Sequence, residues 1–436
     1  MKESTLHTRR KFLRTGVLGG AVAWTIPSFL EKTFLALDAS AADAAIQTLT
    51  GKDGPILVVL QMAGGNDGLN TVVPHGLDPY YIARPNIGIA PEKVLKINDQ
   101  IGLNPRLAGM RGLFDSGDLA IIQGVGYPNP NRSHFRSTDI WQTASDANKF
   151  EREGWLGRYF DACCKGEDPA IALSVGRQAP MAFTAKSPKG ITLSKPEQFR
   201  FISEASSDPA ATEEMFRDMN SVDDDANSGA SVASLGGGQA SGEGDTADFV
   251  RRTALDAQVS SDKVLSITKK FKSTVTYPQS QLAGSLSLVA RLIGGGMPTR
   301  VYYVSQGGYD THSGQLASHD RLMGDLDGAV KSFVADLKAQ GNFDRVMLMT
   351  FSEFGRRVAE NNSGGTDHGA AAPMFVLGGG VKPGIYGEQP SLLKLNDGDL
   401  IYNVDFRNVY ASVLDKWLKA PSEAVLKRKF QPLAFV

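Results

Sequence analysis

The chain has little cysteine, no charge imbalance and no long apolar run outside its first segment. Its 436 residues include two cysteines, adjacent at Cys163 and Cys164. That excludes a disulfide scaffold and a cysteine-built zinc module. Lys and Arg number 46 against 47 Asp and Glu, a net charge of −1. No basic excess is left to neutralise phosphates, so bulk charge excludes a nucleic-acid binder. No apolar run of about 18 residues occurs, so no membrane span is expected. Histidine is scarce as well, at six, and each one can be weighed singly. What is plentiful is glycine, at 47, within a chain that is 42% hydrophobic. A large core and many tight loops are expected.

The first segment reads as an address. Thr8-Arg9-Arg10-Lys11-Phe12-Leu13-Arg14 resembles a twin-arginine export signal, and a short Gly-rich apolar run follows from Gly16 to Ile26. Small residues at Ala39-Ser40-Ala41 and Ala42-Asp43-Ala44 offer cleavage sites. Residues 1–44 are therefore set aside as a signal peptide. The resemblance implies export, and a periplasmic or extracellular location. In an exported chain the cysteine pair has two readings, a vicinal disulfide or two buried thiols at the end of a helical pattern.

Short apolar, β-branched runs recur between glycines and prolines: Pro55–Leu60, Leu119–Val125, Ala170–Val175, Arg300–Ser305, Arg345–Phe351 and Met374–Leu377. Near-continuous apolar runs fit strands buried on both faces. Helical patterns lie between them, at Pro105–Phe114, Ser133–Thr143 and Leu316–Leu337, and Phe406–Leu418 closes the chain. In the longest, Leu322, Leu326, Val330, Phe333 and Leu337 share one face. The alternation predicts an α/β fold, a doubly wound and mostly parallel sheet with helices on both faces. Residues 203–246 are rich in Ser, Ala, Gly and Asp and read as a disordered or loosely packed insertion. The run Asp223-Asp224-Asp225 fails as a calcium loop, because Ser228 and Ser234 stand where Gly and Glu are needed.

In an open α/β sheet, ligands bind beyond the carboxyl ends of the strands. Five polar side chains fall at or near such positions. Asp67 follows the first strand in Gly64-Gly65-Asn66-Asp67, as a ligand or as the Asp of its own turn. Asp310 and His312 follow the Arg300–Ser305 strand, and a carboxylate and an imidazole two residues apart can reach one cation. Glu353 ends the Arg345–Phe351 strand, where its charge needs a metal or an ion pair with Arg356 or Arg357. His368 sits in Gly364-Gly365-Thr366-Asp367-His368-Gly369, before the Met374–Leu377 strand. No phosphate-cradling or dinucleotide-binding glycine motif is present.

The runs LQMAGGNDGLNTVVPHG, GGYDTHSGQ, SEFGRR, GGTDHGAAAPMFVLGGGV and VDFRNVYASVLDKWL, spread over residues 53–420, are similar to those of the family catalogued as domain of unknown function number 1501. That family resembles the alkaline phosphatase and sulfatase superfamily. The resemblance implies an alkaline-phosphatase-like α/β domain over 53–420 and a divalent metal, zinc first, with manganese, magnesium or calcium as alternatives. It implies that Asp310, His312 and His368 hold one metal, and that Asp67 with Glu353 forms or bridges a second. Phe354 stands where the superfamily has a histidine, so the second metal is weakened, absent, or held by His134 or Asp367. Ser133 matches the nucleophile at a helix start, with a plain N-cap as its other reading. The resemblance leaves His134 as ligand, base or hydrogen-bond donor, and Arg132 or Arg136 as the holder of a phosphate or sulfate group.

The expected function is an exported metal-dependent hydrolase of phosphate or sulfate esters, acting on a small-molecule or polymer ester. The competing expectation is a non-catalytic binding or assembly protein with a structural or degenerate metal site. The oligomeric state is left open.

Overall fold

Ile56–Ala63 is apolar and largely β-branched, and it forms β1, with seven of its eight residues buried. The computed structural model describes residues 54–164, 169–186, 190–194 and 262–436. Residues 1–44, expected to be a signal peptide, and 203–246, expected to be an insertion, lie outside these described residues.

The main sheet has nine strands. After β1 come β2 (Leu119–Gly126), β3 (Ala172–Val175), β4 (Ile191–Leu193), β5 (Val301–Gly307), β6 (Val346–Phe351), β7 (Ala372–Gly378), β8 (Gly384–Tyr386) and β9 (Val404–Asp405). Across the sheet they run β8-β2-β7-β6-β1-β5-β3-β4, with β9 also paired to β2. β1 is central and parallel to both neighbours, with Leu57 opposite Val301 and Val346 opposite Ile56. Only β7 is antiparallel, to β2 on one side and to β6 on the other. Each of the six runs read as strands lies in this sheet. The Ala170–Val175 run starts one turn late, because Pro169–Ile171 is a 3-10 turn. The edge strands β4, β8 and β9 have two or three residues each, too few to show a period of two.

Side chains alternate faces along a strand, and this alternation divides the core. Ile56, Val58, Leu60 and Met62 face one layer, built from α1 (Ala108–Asp115), α4 (Gln281–Gly294) and α5 (Gln315–Ala339). Leu57 and Val59 face the other, built from α2 (His134–Thr143), α3 (Trp155–Cys163) and α6 (Phe406–Ser412). The sheet is therefore doubly wound, as the alternation predicts. Leu322, Leu326, Val330, Phe333 and Leu337 all lie in the first core, and each apolar side chain so buried contributes about 1.5–3 kcal/mol.

One local expectation changes. The helix from Phe406 ends at Ser412, continues as a π-helical stretch Val413–Trp417, and is followed by a further helix, Ser422–Leu426. Of the two readings of the cysteine pair, the thiol one holds: Cys163 and Cys164 form no disulfide at the end of α3, and Cys164 is buried.

Topology gathers four loops at one edge. β1, β2, β5 and β6 run in the same sense, and their carboxyl ends share that edge. Antiparallel β7 enters the sheet there, so the residues before it join the same place.

Candidate metal centre

The loop after β1 turns tightly to make room. Gly64 has φ +120°, and a Cβ on it would stand 2.5 Å from the backbone nitrogen of Asp310. That close approach draws the loop after β5 against the end of β1, where the Tyr309 amide donates to the Ala63 carbonyl at 3.2 Å. Beyond β6, residues 353–357 run alongside 367–371. The Gly355 amide donates to Ala370 and the Gly369 amide to Gly355, both at 2.8 Å, and Arg356 pairs with His368 as an isolated antiparallel bridge. The β6–β7 pairing thus extends past the sheet and delivers His368. His134 arrives as the first residue of α2.

Three imidazoles converge on one carboxylate. His368 Nε2 lies 3.0 Å from Asp310 Oδ1, and His312 Nε2 lies 3.1 Å from the same oxygen. His134 Nε2 lies 3.5 Å from Asp310 Oδ2. His312 Nε2 and His368 Nε2 are 2.9 Å apart. His134, Asp310 and His368 place ligand atoms within 4.8 Å of one another.

The opposite nitrogen of each ring is also engaged. His134 Nδ1 lies 2.9 Å from Glu353 Oε1, His368 Nδ1 lies 2.8 Å from the Arg132 carbonyl, and His312 Nδ1 lies 3.3 Å from Asp367 Oδ1. A carbonyl only accepts, so His368 Nδ1 carries the hydrogen and its Nε2 is left with a lone pair when the ring is neutral. Ionised carboxylates assign the same tautomer to His134 and His312. Lone pairs facing each other across 2.9 Å need a proton or a cation between them. Ligand nitrogens at about 2.0–2.1 Å from a tetrahedral zinc stand about 3.3 Å apart, close to the spacings here. The donor set fits such an ion.

Arg356 locks the cluster from below. Its side chain is fully buried. It donates to the carbonyls of Gly65 (2.7 Å), Thr366 (2.8 Å), Tyr309 (3.0 Å) and Gly64, and to Asp310 Oδ1 at 2.8 Å. Burial works against the charge on Asp310, but the hydrogen bond and charge of Arg356, with the neighbouring imidazoles of His368 and His312, outweigh it, and the carboxyl is held down at about 2. Phe354 packs its ring against His134 and His368, with centroids 4.9 and 4.5 Å away.

The structure sorts the candidates. Asp310, His312 and His368 are brought together as expected, and His134 joins Asp310 and His368 as a further donor. Glu353 stands behind His134, where its Oε1 also accepts the Gly64 amide at 2.8 Å. Its Oε2 is buried without a hydrogen-bond partner. Asp67 belongs to a different network. Its Oδ1 caps the turn Gly68–Thr71 through the amides of Leu69 and Asn70, and its Oδ2 takes Arg84 Nη1 at 2.6 Å and the Gln315 amide. A second metal on Asp67 and Glu353 is not assembled, because both Asp67 oxygens are filled and a guanidinium already neutralises them. Arg356 pairs with Asp310 and Arg357 with Asp397 and Asp399, so neither is the partner of Glu353.

Ser133 occupies the cap position of α2, with φ −85° and ψ 127°, but its side chain makes no capping hydrogen bond. Its hydroxyl is exposed, next to His134. Arg132 turns its guanidinium to Asp399 and Asp397 at 2.7 and 3.0 Å. Arg136 is engaged by the carbonyls of Asp146, Ala147 and Lys149 and lies over the Phe150 ring. Sequence reasoning missed Gln315, whose Oε1 accepts from Thr311 and Thr366 while its amide reaches Asp67. A glutamine at the start of a long helix carries no signal of such a role.

The sequence profile of the family described as "Protein of unknown function (DUF1501)" matches residues 121–416. The chain belongs to this family. A search of curated proteins finds no match. Among solved structures, the chain is similar to the PsFucS1 sulfatase from Pseudoalteromonas sp., at 11% identity and a TM-score of 0.35, covering 88% of this chain and 71% of that one. It is also similar to a protein in the alkaline phosphatase superfamily from Vibrio parahaemolyticus, at 9% identity and a TM-score of 0.36, covering 93% and 78%. A third is the C-terminal periplasmic domain of EcEptC from Escherichia coli in complex with Zn, at 8% and 0.31, covering 78% and 77%. These overlaps are loose, and the chemistry below is drawn from this chain's own side chains.

Proposed function

We propose that this DUF1501 family member is an exported, metal-dependent hydrolase of phosphate or sulfate esters, built on a single zinc-type ion held by His134, Asp310, His312 and His368. The observation that carries the reading is the convergence of three Nε2 atoms on Asp310 while each Nδ1 is held by an acceptor. Glu353, Asp367 and the Arg132 carbonyl are the acceptors, an arrangement that orients metal-ligating histidines and raises their basicity. An ion bound there supplies Lewis-acid polarisation of the ester and lowers the pKa of a nearby hydroxyl or water. Ser133 supplies the hydroxyl: its Oγ forms the new bond to phosphorus or sulfur, the ester oxygen departs with the pair of the broken bond and takes up the hydroxyl proton, and water then cleaves the Ser133 ester to release phosphate or sulfate. The N-terminus of α2 favours the developing negative charge. The side chains of Asp310 and His312 are 48% and 46% exposed, so an ester can reach them from solvent. Among the described residues, no helix is long and apolar enough to cross a membrane.

A second reading has its own support. Three histidines and an aspartate fill a tetrahedral zinc, and structural zinc sites are closed in this way whereas catalytic ones keep a position open. On that reading the fold is a binding or assembly scaffold.

The deciding experiment is elemental analysis of the folded protein beside an Asp310→Ala/His312→Ala double variant, with both screened on aryl phosphates and sulfates. One zinc per chain, lost in the double variant, is expected, with turnover lost alongside it. Ser133→Ala should lose turnover and keep the zinc. Zinc bound without turnover favours the scaffold. Absence of metal from the wild-type protein sinks both readings.

A further inference from the structure

Arg132 and Arg357 face each other across a two-residue turn. Leu395–Asn396 and Asp399–Leu400 pair antiparallel, and Asp397 and Gly398 connect them with φ of +50° and +83°. Positive φ at both central residues is the tight hairpin turn that asparagine and aspartate enter most readily before glycine. The tip carries two carboxylates to the two guanidiniums. Asp399 is buried and grips Arg132 through Oδ2, at 2.9 Å from Nε and 2.7 Å from Nη2. Asp397 is 77% exposed, and its Oδ2 alone is shared between Arg132 Nη2 at 3.0 Å and Arg357 Nη2 at 3.3 Å.

The contacts on Arg357 are slack. Besides the 3.3 Å contact, its Nε lies 3.7 Å from Asp399 Oδ1, an oxygen that is buried without a hydrogen bond. A guanidinium fork is used well when two of its N–H groups donate in parallel to one oxyanion, and here they do not. Both arginines are only about one-third exposed, and both are tied by backbone to the metal centre. The Arg132 carbonyl accepts from His368 Nδ1, and Ser133 and His134 follow it in sequence. The Arg357 amide donates to the Asp367 carbonyl at 3.0 Å.

We propose that Arg132 and Arg357 form a receptor for a tetrahedral oxyanion, the phosphate or sulfate group of the ligand, and that the exposed Asp397 carboxylate is the resident anion which that group displaces. Asp399 stays in place and holds Arg132 in orientation. With Asp397 seated, the two positive and two negative charges balance, and a free anion gains little. With Asp397 swung out, the pair has only Asp399 against it and presents two forks with one net positive charge. Arg357 then becomes a specificity-determining residue, and the Asp397–Gly398 turn a self-blocking tip. The inference deepens the hydrolase reading by naming the groups that hold the anion, but it is read out by binding and not by turnover.

The test is calorimetric titration of inorganic phosphate, and separately of sulfate, into the full chain at low ionic strength, with and without zinc. Asp397→Asn keeps a residue suited to positive φ and removes the resident charge. Glu92→Gln, at an exposed residue that forms no ion pair or hydrogen bond with either arginine, changes the net charge equally and serves as the control. Asp397→Asn should bind phosphate about fivefold more tightly than wild type, as expected for removing a competing surface ion pair. Glu92→Gln should not, and Asp397→Asn/Arg357→Ala should lose the gain. No tightening in Asp397→Asn, equal tightening in Glu92→Gln, or a gain that survives loss of Arg357 overturns the proposal. The gain seen in a protein that holds no zinc would keep the receptor and sink the metal reading.

Discussion

At the residue scale, the proposed centre depends as much on what holds its histidines as on the histidines themselves. His134 is fixed by Glu353, His312 by Asp367, and His368 by a backbone carbonyl that no side-chain substitution removes. Glu353→Gln is therefore the informative change. A glutamine still offers an oxygen to His134 Nδ1 but no charge, so the imidazole stays in place while its basicity falls. Zinc affinity, measured by chelator competition, should drop about 10–100-fold. His312→Ala, which deletes a proposed ligand, should drop it much further. If Glu353→Gln strips the metal as completely as His312→Ala does, Glu353 is itself a ligand, acting through the Oε2 that has no partner here.

At the element scale, the site depends on loops pressed closer than side chains allow. Gly64→Ala adds a Cβ 2.5 Å from the Asp310 amide at a φ of +120°. Backbone cannot yield as a side-chain tip does, so the loop after β5 must move and take Asp310 and His312 with it. Gly117 separates the two costs. It has φ +81°, but the nearest atom to its added Cβ is Pro383 Cγ at 3.7 Å. Each alanine should lower stability by about 1–2 kcal/mol for the unfavourable φ, seen in thermal melting. Only Gly64→Ala should also weaken zinc binding. Equal zinc loss in both variants would mean the loop contact is unimportant.

The same scale shows what the sequence discloses. The six long strands are legible because each is buried on both faces and reads as an unbroken apolar run. α5 is legible because 25 residues repeat the helical period many times. Asp310, His312 and His368 are legible because loops at strand ends rarely carry histidine without cause. Asp67 looks the same in sequence, and nothing there reveals that Arg84, 17 residues on, reaches back to neutralise it. His134 and Glu353 meet only through a contact between chain segments 219 residues apart. The reversed direction of β7, which brings His368 to the site, is a property of topology and not of any local pattern.

At the scale of the whole molecule, the polar layer beneath the centre sets the acid limit of the fold. Helix α5 carries His319, fully buried, with Nε2 at 3.1 Å from Asn66 Oδ1 and 3.5 Å from Thr71 Oγ1. Burial pushes its pKa down to about 4; Asp67 and Asp320 pull it up, and Arg84 and Arg356 push it further down. The folded state therefore prefers the neutral ring. Its contribution is complete above the unfolded value of about 6.5 and is lost as pH falls towards 4, a total of about 3 kcal/mol at roughly 1.4 kcal/mol per unit. Asp67 acts lower down. Although burial opposes its charge, Arg84 holds its carboxyl below the usual range, so its share persists until pH falls below about 4. Acid unfolding should thus proceed in two stages. Urea midpoints measured in chelator, so that metal release plays no part, should decline from pH 6.5 to 4.5 in the wild type. His319→Gln should flatten that first decline and leave the one below pH 4. A wild-type midpoint that stays level from pH 6.5 to 4.5 would mean that His319 is already protonated in the fold, with Asp67 outweighing its burial.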